Sequence, residues 1–156
     1  MFPFVAEAIR RFNEARLPVI VITNQSGVGR GFFPESLVGA VHELMTEQLA
    51  ALDAHLEAIY YCPHTSADGC DCRKPKLGML EHAAREHSFD LRRSFVVGDR
   101  YVDIELAHGA GARGILVRTG YGEGELAWHG AQWSRRPDFV AEDLTGAAEW
   151  ILRQTK

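Results

Sequence analysis

Two hydrophobic periods alternate along this chain. Val5, Ala8, Ile9 and Phe12 recur at helical spacing, which predicts an amphipathic helix over residues 4–15. Pro18 then opens Val19-Ile20-Val21-Ile22, four β-branched residues with no polar alternation, as in a strand buried on both faces. Leu37, Val41, Leu44, Met45, Leu49 and Leu52 make one apolar stripe of a long helix, with Pro34 near its first turn. Short strands are predicted at Ile59-Tyr60-Tyr61, Phe95-Val96-Val97 and Ile115-Leu116-Val117, and an edge strand at Phe139-Val140. Helices are predicted over 79–86, 102–108 and 144–152. Strands alternating with helices predict an α/β fold: a Rossmann-like three-layer parallel sheet with helices on both faces. No linker or repeat divides the 156 residues, so a single domain over 1–156 is expected.

Polar and glycine-rich residues follow three of these strands. Thr23-Asn24-Gln25-Ser26-Gly27 follows the first, Gly98-Asp99 follows Val96-Val97, and Thr119-Gly120-Tyr121-Gly122 follows Val117. In a parallel sheet the carboxyl ends of the strands share one edge, where open α/β folds bind ligands. The Thr23–Gly27 turn supplies a hydroxyl, amides and backbone N–H groups suited to an anion, although the same composition also suits an ordinary loop. Asp99, a carboxylate beside a glycine at a strand end, has the chemistry of a magnesium ligand. Asp103 either holds a metal-bound water, orients Lys74 or stabilises its helical turn.

The three cysteines fall within one short segment, Cys62-Pro63-His64 and then Cys70-Asp71-Cys72. In extended chain, residues i and i+2 point to the same side, so Cys62 and His64 can converge with Cys70 and Cys72 across a loop containing Gly69. Three thiolates and an imidazole form a closed tetrahedral set, which reads as a structural zinc site with its loop at 62–72. Arg73-Lys74-Pro75 follows at once. The pair is either a solvated basic surface or, anchored by the metal, a grip on phosphate oxygens.

Composition removes several alternatives. A formal net charge of -4 gives no general attraction to nucleic acid or anionic membrane. No apolar run approaches the ~20 residues that span a bilayer. Met1-Phe2-Pro3-Phe4 meets Glu7 and Arg10 too soon for a signal peptide, so cytoplasmic residence is expected. Ser26 lacks the context of a serine-hydrolase nucleophile.

Taken together, Thr23-Asn24-Gln25-Ser26-Gly27, Cys62-Pro63-His64, Cys70-Asp71-Cys72-Arg73-Lys74-Pro75 and Gly98-Asp99 resemble the haloacid-dehalogenase (HAD) superfamily. Within it they resemble the zinc-loop branch of heptose-bisphosphate and histidinol-phosphate phosphatases. The resemblance runs from about residue 4 to about residue 122. It implies magnesium-dependent hydrolysis of a phosphate monoester on a small metabolite, with heptose bisphosphate favoured over histidinol phosphate by Lys76-Leu77-Gly78-Met79-Leu80 and Thr119-Gly120-Tyr121-Gly122. By the same resemblance Thr23 and its neighbours Asn24, Gln25 and Ser26 hold the transferring phosphoryl group. Lys74 balances its charge, Arg73 helps recognise substrate phosphate, and Asp99 ligates magnesium.

Two features depart from the family pattern. Arg100 stands where relatives usually carry lysine or a small residue. The first family motif, Asp-x-Asp-Gly-Thr, does not occur, since no Asp precedes Asp53. That motif supplies the aspartyl nucleophile, the general acid/base and a magnesium ligand. The resemblance places its strand between those ending at Thr23 and Asp99, so two unpaired inner edges are expected. An N-terminally incomplete chain is the preferred explanation, and 1–156 alone is expected to be inactive. A complete protein would be a monomer, whereas open edges would favour self-association. The rival from another class is a non-catalytic, zinc-stabilised module that binds phosphate or a partner.

Overall fold

The structure is a computed structural model that describes residues 2–155; Met1 and Lys156 lie outside the described residues. The chain divides into two compact units, Met1–Ala83 and Ala84–Lys156. Both are α/β with parallel strands, as the alternating pattern predicts. The sequence places a missing strand between those ending at Thr23 and Asp99, and the strands accordingly form a two-stranded sheet in the first unit and a three-stranded sheet in the second.

In the first unit, α1 (Val5–Glu14) buries Ala6, Ala8, Ile9 and Phe12 and leads into β1 (Ile20–Asn24). A single helical turn, α2 (Ser26–Gly29), separates β1 from the long helix α3 (Glu35–Ala50). The chain returns through β2 (Ala58–Cys62), parallel to β1 with Thr23 opposite Tyr61 and Asn24 opposite Cys62. Because side-by-side parallel strands end together, this register sets the Thr23–Gly27 turn next to the first cysteine. A turn at Ser66–Asp68 and helix α4 (Gly78–Glu86) follow.

Helix α3 buries only Leu49 fully from the stripe read from its sequence. Val38 and Leu49 are buried, while Leu37, Val41, Leu44 and Leu52 are 47–56% exposed. Apolar residues surround much of this helix, so periodicity alone does not choose the face that packs.

In the second unit, β3 (Phe95–Gly98), β4 (Arg113–Val117) and β5 (Phe139–Ala141) form a parallel sheet in the order β3-β4-β5. Helix α5 (Tyr101–Gly109) packs on β3 and β4, and α7 (Leu144–Gln154) on all three strands. Ile115 and Leu116 in β4 are fully buried, with Ile104 and Leu106 of α5 and Ala147 and Ala148 of α7 also removed from solvent. Helix α6 (Gly122–His129) was not predicted, because its two glycines and single leucine give no helical apolar period.

Among the described residues, strands β1 and β3, which lead to Thr23–Gly27 and to Asp99, each have one strand neighbour. The two open edges expected from the sequence are therefore present. No helix among the described residues is long and apolar enough to cross a membrane.

Candidate active site and metal centre

Cys62, at the end of β2, is fully buried, so its thiol is fixed by the sheet before any metal is considered. Its sulfur lies 3.7 Å from Cys70 Sγ, 3.0 Å from Cys72 Sγ and 3.6 Å from His64 Nδ1. Cys72 Sγ is 3.4 Å from Cys70 Sγ and 3.2 Å from His64 Nδ1. All four ligand atoms lie within 4.8 Å of one another. A zinc ion bound at ~2.3 Å by sulfur separates tetrahedral sulfurs by about 3.8 Å, so this donor set fits such an ion with modest adjustment. Among the described residues it is the one group of three or more His, Cys, Asp and Glu side chains with that spacing.

The thiols are unequal without an ion. Burial pushes Cys72 up to about 12, helped by its hydrogen bonds with Cys62 and Cys70. Burial also acts to raise Cys70, but bonds from Cys72 and from the Arg73 and Cys72 N–H groups outweigh it and bring Cys70 to about 7. Three adjacent thiolates repel one another, and a doubly charged cation removes that repulsion.

The Thr23–Gly27 turn is stitched to this loop by backbone. Gln25 N–H donates to Cys62 O at 2.7 Å, and Gly29 N–H donates to Pro63 O at 2.9 Å. A Cβ on Gly29 would lie 2.8 Å from Pro63 O, so the approach requires glycine. Gln25 Nε2 donates to Thr23 Oγ1 at 3.3 Å, which leaves the hydroxyl hydrogen free to point elsewhere.

Asn24 clasps the cationic segment. Its Oδ1 accepts the Lys74 N–H at 3.0 Å, and its Nδ2 donates to Lys74 O at 3.2 Å. The Lys74 side chain then runs to the end of β1, where Nζ donates to Ile22 O at 3.0 Å. The register of β1 turns Val19 O and Gln25 N toward β2, so the even-numbered Ile22 presents its carbonyl at the open edge. Lys74 thus places its ammonium beside the residue before Thr23. Arg73 Nη1 donates to His64 O at 3.2 Å, and a cleft of about 190 Å³ is lined by Thr65, Ser66, Arg73, Lys74 and Lys76 among others. Ser26 opens α2, whose N-cap residue Gln25 makes no side-chain cap bond.

In the second unit, Asp99 follows β3 and is partly exposed. Tyr121 N–H donates to its Oδ2 at 3.0 Å. Gly120 adopts φ +67, and a Cβ there would lie 2.2 Å from the same oxygen. At Gly122 a Cβ would lie 1.8 Å from Val117 O. The 119–122 turn can therefore wrap Asp99 only with these glycines, a role that glycine spacing alone hinted at. A carboxylate with one oxygen held by an amide fits as one hard ligand of magnesium, and it belongs to no three-membered ligand cluster among the described residues.

Asp103 is 5% exposed, and its Oδ2 accepts the Arg100 N–H at 3.2 Å, which caps the first turn of α5. A Cβ on Gly98 would meet that carboxylate at 2.2 Å. Of the roles weighed for Asp103, this geometry displays the stabilisation of its own turn. Arg100, which the sequence set apart without a role, lies over the Tyr121 ring at 5.0 Å and pairs with Glu125 at 3.2 Å.

Comparison with known proteins gives the family. Residues 71–147 match a family model described as HAD-hydrolase-like. The chain is 43% identical to a D-glycero-D-manno-heptose-1,7-bisphosphate 7-phosphatase of Thermosynechococcus vestitus, over 97% of this chain and 82% of the relative. The chain belongs to the HAD-like phosphatases. Another member of that family, the D-glycero-beta-D-manno-heptose-1,7-bisphosphate 7-phosphatase of Bordetella bronchiseptica, is 40% identical over 97% of this chain and 83% of its own. A crystal structure of D,D-heptose 1,7-bisphosphate phosphatase from B. bronchiseptica, complexed with magnesium and phosphate, superposes with a TM-score of 0.89. It shares 38% identity over 98% of this chain and 84% of that chain.

Proposed function

We propose that this chain serves magnesium-dependent hydrolysis of the 7-phosphate of D-glycero-D-manno-heptose 1,7-bisphosphate. The observation that carries the reading is the delivery of the Lys74 ammonium to the end of β1, next to Thr23, by the Asn24 clasp. The kinship with phosphatases named for this substrate supplies the substrate class.

In this reading Cys62, His64, Cys70 and Cys72 hold structural zinc, and Asp99 is one ligand of magnesium. Magnesium, when bound, neutralises charge on the phosphoryl oxygens. Because Thr23 Oγ1 already accepts from Gln25, its hydrogen is the donor offered to a phosphoryl oxygen. Asn24 acts mainly through Lys74, while Gln25 and Ser26 complete the polar turn. Arg73 supplies a planar pair of donors for substrate phosphate. Three thiols used as ligands suit a reducing compartment, so we place the enzyme in the cytoplasm, acting on a small metabolite, as a single-domain monomer when complete and prone to self-association through the open edges of β1 and β3.

Residues 1–156 contain no Asp-x-Asp motif, so on their own they bind the substrate without turning it over. The test is calorimetric titration of purified 1–156 with the heptose bisphosphate and magnesium, alongside a phosphate-release assay. Lys74→Met and Thr23→Ala should each weaken binding about tenfold, a loss of ~1.4 kcal/mol. Unchanged affinity in both variants overturns the site assignment, and magnesium-dependent phosphate release overturns the inactivity of 1–156.

A further inference from the structure

One side chain joins the zinc loop to the cationic turn that follows it. Lys76 Nζ donates to Cys70 O at 2.6 Å and to Gly69 O at 3.1 Å. The same residue's backbone N–H donates to Arg73 O at 2.9 Å. Lys76 therefore grips, at one end, the loop that carries Cys70 and, at the other, the turn that carries Arg73 and Lys74. Gly69 sits at φ +65, at the end of the Ser66–Asp68 turn, where the two consecutive carbonyls reach one ammonium. Hydrogen bonds from a charged donor are roughly twice as strong as neutral ones. The Asp71 carboxylate also lies 3.6 Å from this ammonium; the Lys76 side chain is 51% exposed and that of Asp71 98%, so water screens the pair strongly and the carbonyl bonds in part. A second stitch runs from Gly78 N–H to Asp71 O at 3.1 Å, and a Cβ on Gly78 would lie 2.5 Å from that oxygen.

We propose that Lys76 is a positioning residue: its ammonium latches the zinc loop to the Arg73–Lys74 turn, so that order at the metal site is passed to the two phosphate-facing cations. The proposal rests on the zinc and phosphate roles assigned above. Zinc fixes Cys70 and Cys72, and Arg73 follows directly in the chain. The Asn24 clasp holds Lys74 from the side of β1, and Lys76 holds the same turn from the side of the metal.

The experiment uses the full chain loaded with zinc, in wild-type form and as Lys76→Met, Lys76→Arg and Asp71→Ala. Two rates are read: zinc transfer to a colorimetric chelator, and hydrogen exchange at the Lys74 and Lys76 amides. Lys76→Met should release zinc about tenfold faster, the scale seen when a group supporting a metal ligand is lost. Its Lys74 and Lys76 amides should exchange severalfold faster while the Val21 and Thr23 amides of β1 keep their rates. Lys76→Arg, which retains the charge and the donors, should restore most of both effects, and Asp71→Ala should leave both unchanged.

If Lys76→Met preserves the β1 rates and neither readout moves, the latch is overturned. If the methionine variant does not fold, Lys76→Gln is compared with Lys76→Arg, and equal rates in those two overturn it. Should wild-type protein take up no zinc, the metal reading fails instead, and the exchange rates still decide for or against the latch.

Discussion

The two strand ends that carry the candidate chemistry are built by different means. Around Thr23 and Lys74, order comes from polar side chains and ligands that reach across sequence: Asn24 to Lys74, Lys76 to Cys70, and four donor atoms gathered at one point. Around Asp99, order comes from the lack of side chains, because Gly98, Gly120 and Gly122 admit contacts that any Cβ would block. The first region is held by groups that one substitution deletes. The second is held by space that one substitution fills. They should therefore fail differently, the first by losing its ion and loosening, the second by strain.

Cys62→Ser should have the largest effect. Cys62 is the fully buried member of the ligand set and the residue that ties it to β2. Structural zinc contributes about 10–16 kcal/mol of apparent binding free energy in small zinc peptides, and folding of the loop is coupled to it. We expect the zinc content of purified protein to fall well below one per chain. The Gln25 and Gly29 amides, which bond to Cys62 O and Pro63 O, should lose exchange protection. Full zinc content in the serine variant would show that the cluster does not depend on its buried thiolate.

A smaller effect separates two glycines in the second region. Gly120→Ala puts a side chain at φ +67 and within 2.2 Å of Asp99 Oδ2, so it should destabilise by about 1–3 kcal/mol in urea unfolding. Gly124 lies inside α6, where the nearest atoms to an added Cβ are those of the Trp128 ring, itself 77% exposed and able to swing aside. Gly124→Ala should be neutral or gain up to ~1 kcal/mol, since glycine weakens a helix interior. Equal losses from both substitutions would show that the second region is not organised by close approach to Asp99.

The same division explains what could be read from the sequence. Ligands and strand ends announce themselves by residue type, so the Cys and His spacing and the runs after β1 and β3 were legible, as was the parallel α/β pattern. The Asn24 clasp was not, because amide-to-backbone bonds between residues fifty apart leave no periodic trace. The Lys76 latch was hidden for a similar reason, since a second lysine after Arg73-Lys74 reads as surface charge. Helix α3 shows a third limit. With apolar residues on several faces, the phase that packs is chosen by neighbours, and Val38 was buried rather than Leu37, Val41 and Leu44. The division into two sheets was legible only through the family resemblance, because the missing Asp-x-Asp-Gly-Thr strand is what would lie beside both β1 and β3.

The mildest prediction concerns charge at the opposite end of the second sheet, where neither metal nor glycine is involved. Asp138 precedes β5, and its Oδ2 accepts from Gly114 N–H at 2.7 Å and lies 3.0 Å from His108 Nε2. Burial acts to raise its carboxyl, but the Gly114 N–H bond and the neighbouring His108, with Arg113, hold it below the usual carboxylate range. The sign follows from that depression. The charged form is favoured by folding, so the contribution is fully present above the unfolded value of about 3.9 and is lost as pH falls through the lower folded value. Asp138→Asn keeps an oxygen for Gly114 but removes the charge. Its urea midpoint should therefore fall less steeply than that of the parent as pH is lowered below about 4, with the two curves running parallel above it. The side chain is more than a third exposed, which keeps the difference small. Parallel curves through the acid range would assign the order of this edge to the Gly114 hydrogen bond alone, and would extend to it the arrangement at Asp99, where a backbone N–H holds the carboxylate.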